Sequence, residues 1–309
     1  MQVILDKQSL SLTDARDKQS LSLTDARDRM LDMATKKKVS PEGRVLQVPR
    51  EEKQEETKAR GSLDVTLEEL LEAGAHFGHR ADRWHPKSAP YLFGVREGVH
   101  IFDLEKTRDA LLAAQEELKS RAEKGQTFLF VGTKQQAQEV MRKTAQELDM
   151  PYIVDRWIGG FFTNFEQMKR SLSKLAKMKQ EQEAGEYKKF TKKEQLLLSR
   201  EISHLERLFG GVATVTKLPD MVIIVDTNRE KTAVEEARKM GVPILAIVDS
   251  NSDPTLVDYP IPANDDSIKS VEYIVGKLGQ AIAEGKKKAK IKDQKSKLEE
   301  KVEQAPVAA

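Results

Sequence analysis

The stretch that decides the fold is TFLFVGTKQQAQEVMRKTAQEL, from Thr127 to Leu148, in which a compact apolar strand turns at Gly132 into a helix. A short, continuous apolar run of this kind is typical of a strand buried on both faces. The arrangement recurs downstream, where Met221–Val225 precedes a helix that runs through Met240, and residues 241–248 form another apolar strand. Short apolar strands alternating with amphipathic helices predict a parallel sheet with helices on both faces, the α/β class.

Capping residues mark two more helices upstream of this stretch. Thr66 and Glu69 form a capping box before a short helix that Gly74 closes, and Asp103 caps a long helix that ends near Gly125. Two further strands are predicted, over residues 99–102 and 151–154. We therefore expect the α/β domain to comprise residues 63–163 and 211–284.

Residues 164–210 interrupt the alternation of strands and helices. Their apolar residues fall at positions 165, 168, 172 and 175, and again at 198, 202, 205 and 209, which are the intervals of a coiled-coil seam. Gly185 marks the reversal between the two helices. This pattern predicts an inserted α-helical coiled-coil hairpin that projects from the sheet. It carries eleven Lys and Arg residues against seven Glu, a net charge of +4, whereas the whole chain carries +2.

Neither end of the chain shows the pattern of a packed core. Residues 6–16 recur unchanged at 17–27 and are followed by a polar, charged stretch. Because such a segment buries too little apolar surface to offset its ordering entropy, residues 1–62 are predicted to be a disordered extension. Residues 285–309 are rich in lysine and lack apolar periodicity, so we predict a basic disordered tail there.

The composition excludes several classes of protein. The 309 residues include no cysteine, which excludes a disulfide scaffold, a cysteine nucleophile and a thiolate zinc site. No apolar run approaches the roughly 20 residues that span a bilayer, and the N-terminus lacks a signal-peptide core. These features predict a soluble, cytoplasmic protein without a membrane partner.

The turn Gly132-Thr-Lys134 invites a phosphate-loop interpretation, which the spacing rejects. The motif G-x-x-x-x-G-K-[ST] needs a lysine directly after its second glycine, and no G-x-G-x-x-G opens any predicted helix. No G-x-S-x-G nucleophile elbow is present either. We therefore predict an ordinary turn capped by Thr133, and no catalytic residues.

One imidazole and three carboxylates could form a metal site. Asp249 ends a predicted strand, Asp265 and Asp266 follow the next apolar segment, and His79 lies in a histidine-rich stretch. In an open α/β sheet both strand ends lie at the carboxyl edge, where ligands gather. If His79 reaches this edge, the four residues could hold zinc or magnesium. The alternative is that Asp249 and Asp265 cap helices and turns while His79 packs in the core.

Cations and aromatic residues mark a candidate RNA surface. They fall between residues 80 and 108, a stretch expected to be weak in regular structure, and again just before the predicted hairpin. Guanidinium and aromatic groups on exposed loops suit contacts with phosphates and unstacked bases. The alternative is that Trp84 and Trp157 anchor the core at the edge of the sheet. The candidates are Arg80, Arg83, Trp84, Lys87, Arg96 and Arg156.

A series of motifs follows in a fixed order over about residues 63–285. They are GAHFGH at 74–79, RWHPK at 83–87, HIFDLEKT at 100–107, FVGTK at 130–134, RWIGGFFTN at 156–164, AIVDSNSDP at 246–254 and IPANDD at 261–266. In this order the motifs resemble the bacterial ribosomal protein S2 family. His85 and Ser88 depart from the family's asparagine and methionine at those positions.

The resemblance implies a flavodoxin-like α/β domain with an inserted coiled-coil hairpin and no catalysis. It implies a structural component of the small (30S) ribosomal subunit, bound in the cytoplasm to small-subunit ribosomal RNA near the head–body junction. The protein would contact other small-subunit proteins and help dock ribosomal protein S1, with no cofactor required. From the hairpin it adds the RNA-contact candidates Lys169, Arg170, Lys174 and Lys177.

Two other functions stay open at this point. One is an enzyme that uses the carboxyl edge of a flavodoxin-like fold, since fold alone does not determine function. The other is a metal-stapled protein-interaction module, which is compatible with a ribosomal role. The missing phosphate motif and the missing nucleophile–base pair count against the enzyme.

Overall fold

A computed structural model describes residues 64–303, with side chains as far as Ile291. The predicted N-terminal extension and its repeat lie outside these residues. The described chain begins with helix α1 (Leu67–Glu72), strands β1 (Phe77–Arg80), β2 (Leu92–Arg96) and β3 (Val99–Phe102), and helix α2 (Leu104–Glu123). The expectation of weak regular structure from residue 80 is wrong, because β1, β3 and β2 form a three-stranded antiparallel sheet in that order.

A second sheet of five parallel strands forms the centre of the domain. Its strand order is β5-β4-β6-β7-β8, which matches the flavodoxin-like order, and it confirms the parallel sheet that the sequence predicted. The strands and helices are β4 (Phe128–Val131), α3 (Gln135–Glu147), β5 (Tyr152–Ile153), α4 (Phe165–Glu183), α5 (Lys192–Phe209), β6 (Met221–Val225), α6 (Lys231–Met240), β7 (Ile244–Val248), β8 (Tyr259–Pro262) and α7 (Ile268–Glu303).

The central strands are buried on both faces because helices cover each side of the sheet. Every residue of β4, β6 and β7 is buried. Phe128 and Phe130 join the apolar cluster formed with α2, α3 and α7, whereas Leu129 and Val131 join the cluster formed with α4, α5 and α6. Each such side chain contributes about 1.5–3 kcal/mol of burial free energy.

Helices α4 and α5 occupy the segment predicted to form the hairpin. Gly185 adopts a left-handed conformation (φ +73°) between them, and Thr191 forms a capping box with Glu194 at the start of α5. The two helices contact each other, and the seam residues Met168 and Ile202 are buried. Coiled-coil packing of the pair stays a prediction.

The prediction of a disordered tail is wrong over residues 285–303, whose backbone continues helix α7. Gly285 lets α7 pass close to α2, since a Cβ at this position would lie 2.6 Å from the carbonyl oxygen of Lys119. The amine of Lys286 donates to the carbonyl of Leu148, and Lys288 pairs with Glu123 at 3.1 Å. Because these contacts are made by a glycine and lysines, they do not appear in the sequence as a periodic pattern of apolar residues. Although α7 has 36 residues, no described helix is long and apolar enough to cross a membrane.

Candidate cation site and RNA-binding surfaces

The carboxyl edge of the central sheet brings His79, Asp249, Asp265 and Asp266 together. One nitrogen or oxygen from each residue lies within 4.8 Å of the others. His79 comes from β1, Asp249 directly follows β7, and Asp265 and Asp266 follow β8. The parallel strands end at one edge of the sheet, so the carboxylates that follow them lie close together. Strand β1 of the first sheet places the imidazole of His79 at the same edge.

A close contact with a carboxylate, a backbone hydrogen bond and a close backbone approach fix the position of His79. Its Nδ1 lies 2.9 Å from Asp249 Oδ1, and its backbone N–H donates to Ser250 Oγ at 2.8 Å. Gly78 permits this approach, because a Cβ there would lie 2.9 Å from the same hydroxyl oxygen. The close contact with Asp249 raises the pKa of His79, although burial opposes the rise. Nε2 lies 3.5 Å from Asp266 Oδ2.

Lys134 enters this acidic cluster, a role that the sequence did not reveal. Its Nζ lies 2.6 Å from both Asp265 Oδ1 and Asp266 Oδ1, and 3.7 Å from Asp226 Oδ2. Burial would lower the pKa of Lys134, but these carboxylates, Asp265 foremost, raise it to about 12. The amine is therefore a fixed positive charge inside the domain.

One ammonium group does not satisfy all of the surrounding carboxylates. Asp265 is fully buried, and burial together with the charges of Asp249 and Asp226 raises its pKa to about 8, despite the opposing effect of Lys134. Its Oδ2 has no hydrogen-bond partner within the described part of the chain. The cluster therefore keeps a buried acceptor atom that suits a cation.

The turn after β4 holds a carboxylate where related folds bind a phosphate. The prediction that Thr133 caps α3 is wrong, because the helix begins after Lys134 without a side-chain cap. Thr133 donates both its hydroxyl and its backbone N–H to Glu230, a buried residue whose pKa burial raises. Because Glu230 already accepts from the backbone N–H and the hydroxyl of Thr133, these donors are taken up and do not offer an anion site at the switch point of the sheet.

The residues near β1 and β2 that were predicted to contact RNA are exposed, but some of them already form ion pairs with acidic side chains. Arg80 and Arg96 both lie opposite Val99 in the first sheet, one on each neighbouring strand. Arg80 pairs with Asp82 at 3.5 Å, whereas Arg96 makes no ion pair with any described residue. Lys87 Nζ lies 2.7 Å from Asp253, where it helps hold the pKa of Asp253 at about 2 against the effect of burial.

The two tryptophans differ in their surroundings. Trp84 is 40% exposed and packs against buried His100 with ring centroids 5.1 Å apart. Trp157 is half-buried between Phe161 and Phe162, and its indole N–H donates to Glu236 at 3.2 Å. Trp84 is therefore open to a ligand on one side, while Trp157 anchors the loop before α4. Two predicted arginines, Arg83 and Arg156, are exposed and make no ion pair among the described residues.

Most predicted cations of α4 already have acidic partners inside the hairpin. Lys174 lies 2.5 Å from Glu201, and weaker pairs join Lys169 to Glu166 at 3.5 Å and Lys177 to Glu181 at 3.7 Å. Arg170 is exposed and has no ion pair within residues 64–291. The count of hairpin charges therefore overstates how much positive charge α4 offers to a ligand.

A stripe of unpaired cations on α5 was not singled out from the sequence. Lys193, Arg200 and Arg207 are exposed, and none forms an ion pair within the described residues. They are spaced seven residues apart, so they lie along one side of the helix at intervals of about 10.5 Å. The seven-residue interval was the signal that could have identified them. We call these three residues the α5 stripe.

A model of the ribosomal protein S2 family matches residues 70–285, from α1 into α7. The chain belongs to this family. The match covers both sheets, the acidic cluster and the hairpin. S2 family membership makes the chain a structural protein of the small ribosomal subunit with a role in translation, and not an enzyme.

Individual S2 relatives show the same extent of similarity. The small ribosomal subunit protein uS2 of Amoebophilus asiaticus is 47% identical over 223 residues, which are 72% of this chain and 71% of the relative. The uS2 protein of Cytophaga hutchinsonii is 44% identical over 236 residues, covering 76% of this chain and 93% of the relative. The uS2 protein of Nitratiruptor sp. is 43% identical over 242 residues, with 78% and 90% coverage.

Proposed function

We propose that the protein takes its place in the small subunit by binding small-subunit ribosomal RNA through phosphate contacts. The observation that carries this proposal is the α5 stripe, whose cations are exposed and have no acidic partner among the described residues. The chain as a whole is almost neutral, so this is a local feature rather than a general excess of charge. Phosphate contacts of this kind position a protein on RNA without reading the sequence.

A second set of contacts is proposed at the loops beside the first sheet. Arg80 and Arg96 flank Val99 on neighbouring strands, so two guanidinium groups can meet one phosphate backbone. Arg83 is exposed nearby in sequence, and Trp84 offers one ring face on which an unstacked base can pack. On α4, Arg170 is exposed and has no ion pair with a described residue. To bind phosphates, Lys169, Lys174 and Lys177 would break their ion pairs with glutamate residues. Arg156 extends this surface from the loop before the hairpin.

Finer aspects of the ribosomal role are also proposed on the strength of the family resemblance. They are a position near the head–body junction, bound to ribosomes in the cytoplasm, contacts with other small-subunit proteins, and help in docking ribosomal protein S1.

The test of the main proposal is whether the protein sediments with small subunits at low salt and dissociates at high salt. Absence from the subunit at low salt would overturn the proposal.

We also propose a divalent cation, zinc or magnesium, at His79, Asp249, Asp265 and Asp266. The specific observation is that Asp265 Oδ2 is buried without a partner among the described residues, inside a cluster whose four ligand atoms lie within 4.8 Å. An imidazole nitrogen favours zinc, whereas magnesium prefers ligands that are all oxygen. A bound ion would tie β1 to the carboxyl edge of the central sheet.

Metal analysis of the purified full-length protein tests this second proposal. We expect one zinc ion per chain after incubation with zinc, and loss of that ion in His79→Ala, because the variant lacks the only nitrogen ligand of the four. His204→Ala is the control, since His204 is exposed on α5. Zinc should also raise the melting temperature of the wild type. At a free zinc concentration of 100 times the dissociation constant, binding adds about 2.7 kcal/mol to the free energy of unfolding. Absence of bound metal in the wild type, or full retention of the metal in His79→Ala, would contradict the proposed site.

A further inference from the structure

Glu236 binds the loop that leads into the hairpin. This residue lies on α6, and its side chain is buried. Its two carboxylate oxygens accept hydrogen bonds from five groups, all within residues 157–163. The donors are Trp157 Nε1 (3.2 Å), Gly160 N (2.7 Å), Phe162 N (3.1 Å), Thr163 N (3.4 Å) and Thr163 Oγ1 (3.3 Å).

The charge of this carboxylate is balanced by hydrogen bonds rather than by a cation. No ammonium or guanidinium group within residues 64–291 lies in ion-pair distance of Glu236. Burial of a charge is costly unless hydrogen bonds compensate, and bonds from N–H groups to a carboxylate are among the stronger ones. Gly160 has a φ of +87°, a conformation that lets neighbouring N–H groups converge on one anion.

The bound loop sets where the first helix of the hairpin begins. Helix α4 starts at Phe165, two residues after the last donor, and its N-cap, Asn164, makes no side-chain capping bond. Phe161 packs edge-on against both Trp157 and Phe165, so the ordered loop continues directly into the helix. Among the described residues, no other side chain of α6 forms a hydrogen bond with this loop: the neighbouring Glu235 is exposed and pairs with Lys231, at 3.9 Å.

We infer that Glu236 is a positioning residue for RNA binding. It holds the loop of residues 157–163 so that α4, the α5 stripe and Arg156 face the RNA together. The inference rests on the proposed RNA-binding function. Glu236 itself cannot contact phosphate, because it is buried and carries the same sign of charge. Its effect on RNA must therefore pass through the loop and the hairpin.

The experiment compares Glu236→Gln with Glu235→Gln in the full-length protein. We expect faster amide hydrogen exchange at Gly160, Phe162 and Thr163 in Glu236→Gln only. Affinity for small-subunit ribosomal RNA should fall about tenfold, and the plot of log affinity against log salt should become shallower by about 1, as one or two phosphate contacts are lost. A variant that is only less stable would bind with fewer active molecules but with an unchanged slope.

A double-mutant cycle separates positioning from other causes. In a background in which the α5 stripe is reversed to glutamate, Glu236→Gln should weaken binding by less than twofold. Trp157→Phe removes one donor and keeps a ring, so it gives a milder version of the same effects if Glu236→Gln does not fold. Faster exchange with an unchanged salt slope in whichever of these variants folds would overturn the inference, as would unchanged exchange. A wild type that binds RNA without salt dependence would instead overturn the proposed function, while the exchange result still reports whether Glu236 anchors the loop.

Discussion

Replacing Lys134 with methionine is expected to lower the free energy of unfolding at pH 8.5 by about 3–5 kcal/mol, the usual cost of removing one partner from a buried ion pair. Methionine keeps the apolar stem but takes away the only cation among the described residues that lies within hydrogen-bond distance of Asp265. Asp265 would then be buried beside Asp249 and Asp226 with no opposite charge. The loss should be seen in urea unfolding with a chelator present.

Lys143→Met is the matched control for this substitution. Lys143 lies on the exposed side of α3 and makes no ion pair within the described residues, so the change should cost less than about 0.5 kcal/mol. Equal stability of the two variants would contradict the role assigned to Lys134. A divalent cation that restores the stability of Lys134→Met, but not of a variant that also lacks His79, would support the cation site.

The destabilisation of Lys134→Met should also depend on pH. The pKa of Asp265 is raised to about 8 in the folded protein, above its ordinary value of 3.8. Between these values the folded state holds a proton that the unfolded state has released, so this group's contribution to stability is lost as pH rises toward 8. Without Lys134 the pKa rises further, and a protonated Asp265 leaves no charge unpaired. We therefore expect a smaller loss of stability at pH 5.5 than at pH 8.5.

Reversing the α5 stripe to glutamate is expected to weaken binding to small-subunit ribosomal RNA on the order of 100-fold at low salt. Each lost phosphate contact reduces the salt slope by about 0.7–0.9, so the slope should become shallower by about 2 to 3. Reversal of Lys169, Arg170 and Lys174 on α4 should have a smaller effect, because Lys169 and Lys174 already have glutamate partners. Filter binding across a salt series measures both quantities.

An exchanged ion pair provides the control for the hairpin variants. Lys179 lies 2.6 Å from Glu206, so the double variant Lys179→Glu with Glu206→Lys keeps the pair and the net charge. It should bind RNA like the wild type, within about twofold. If reversal of the α5 stripe leaves the affinity and the slope unchanged, the hairpin does not carry the RNA contact.

The buried strands of the central sheet could be predicted because their local sequence is a short run of apolar residues. Phe128–Val131 and Ile244–Val248 are continuous apolar runs, which are typical of strands in a sheet covered on both faces. The meeting of Asp249 with Asp265 followed from the same pattern, since residues that trail neighbouring parallel strands share one edge. For these features, local pattern and topology were sufficient.

Features that depend on long side chains or on mixed patterns were missed. Lys134 was noted only in a rejected phosphate loop and in a family motif, because nothing in the sequence shows that its amine reaches carboxylates more than 90 residues away. Strand β2 has four exposed residues and only one half-buried residue, so no alternation reveals it. Helix α7 beyond Gly285 docks through a glycine and lysines rather than through an apolar stripe.

The most direct test is sedimentation of the full-length protein with small ribosomal subunits that lack their S2-family protein. The protein should move with the subunits at low salt and be released as salt rises, with the α5-stripe variant released at a lower salt concentration than the wild type. Quantitative mass spectrometry of the gradient fractions gives the occupancy. A wild type that remains at the top of the gradient at low salt would contradict the account.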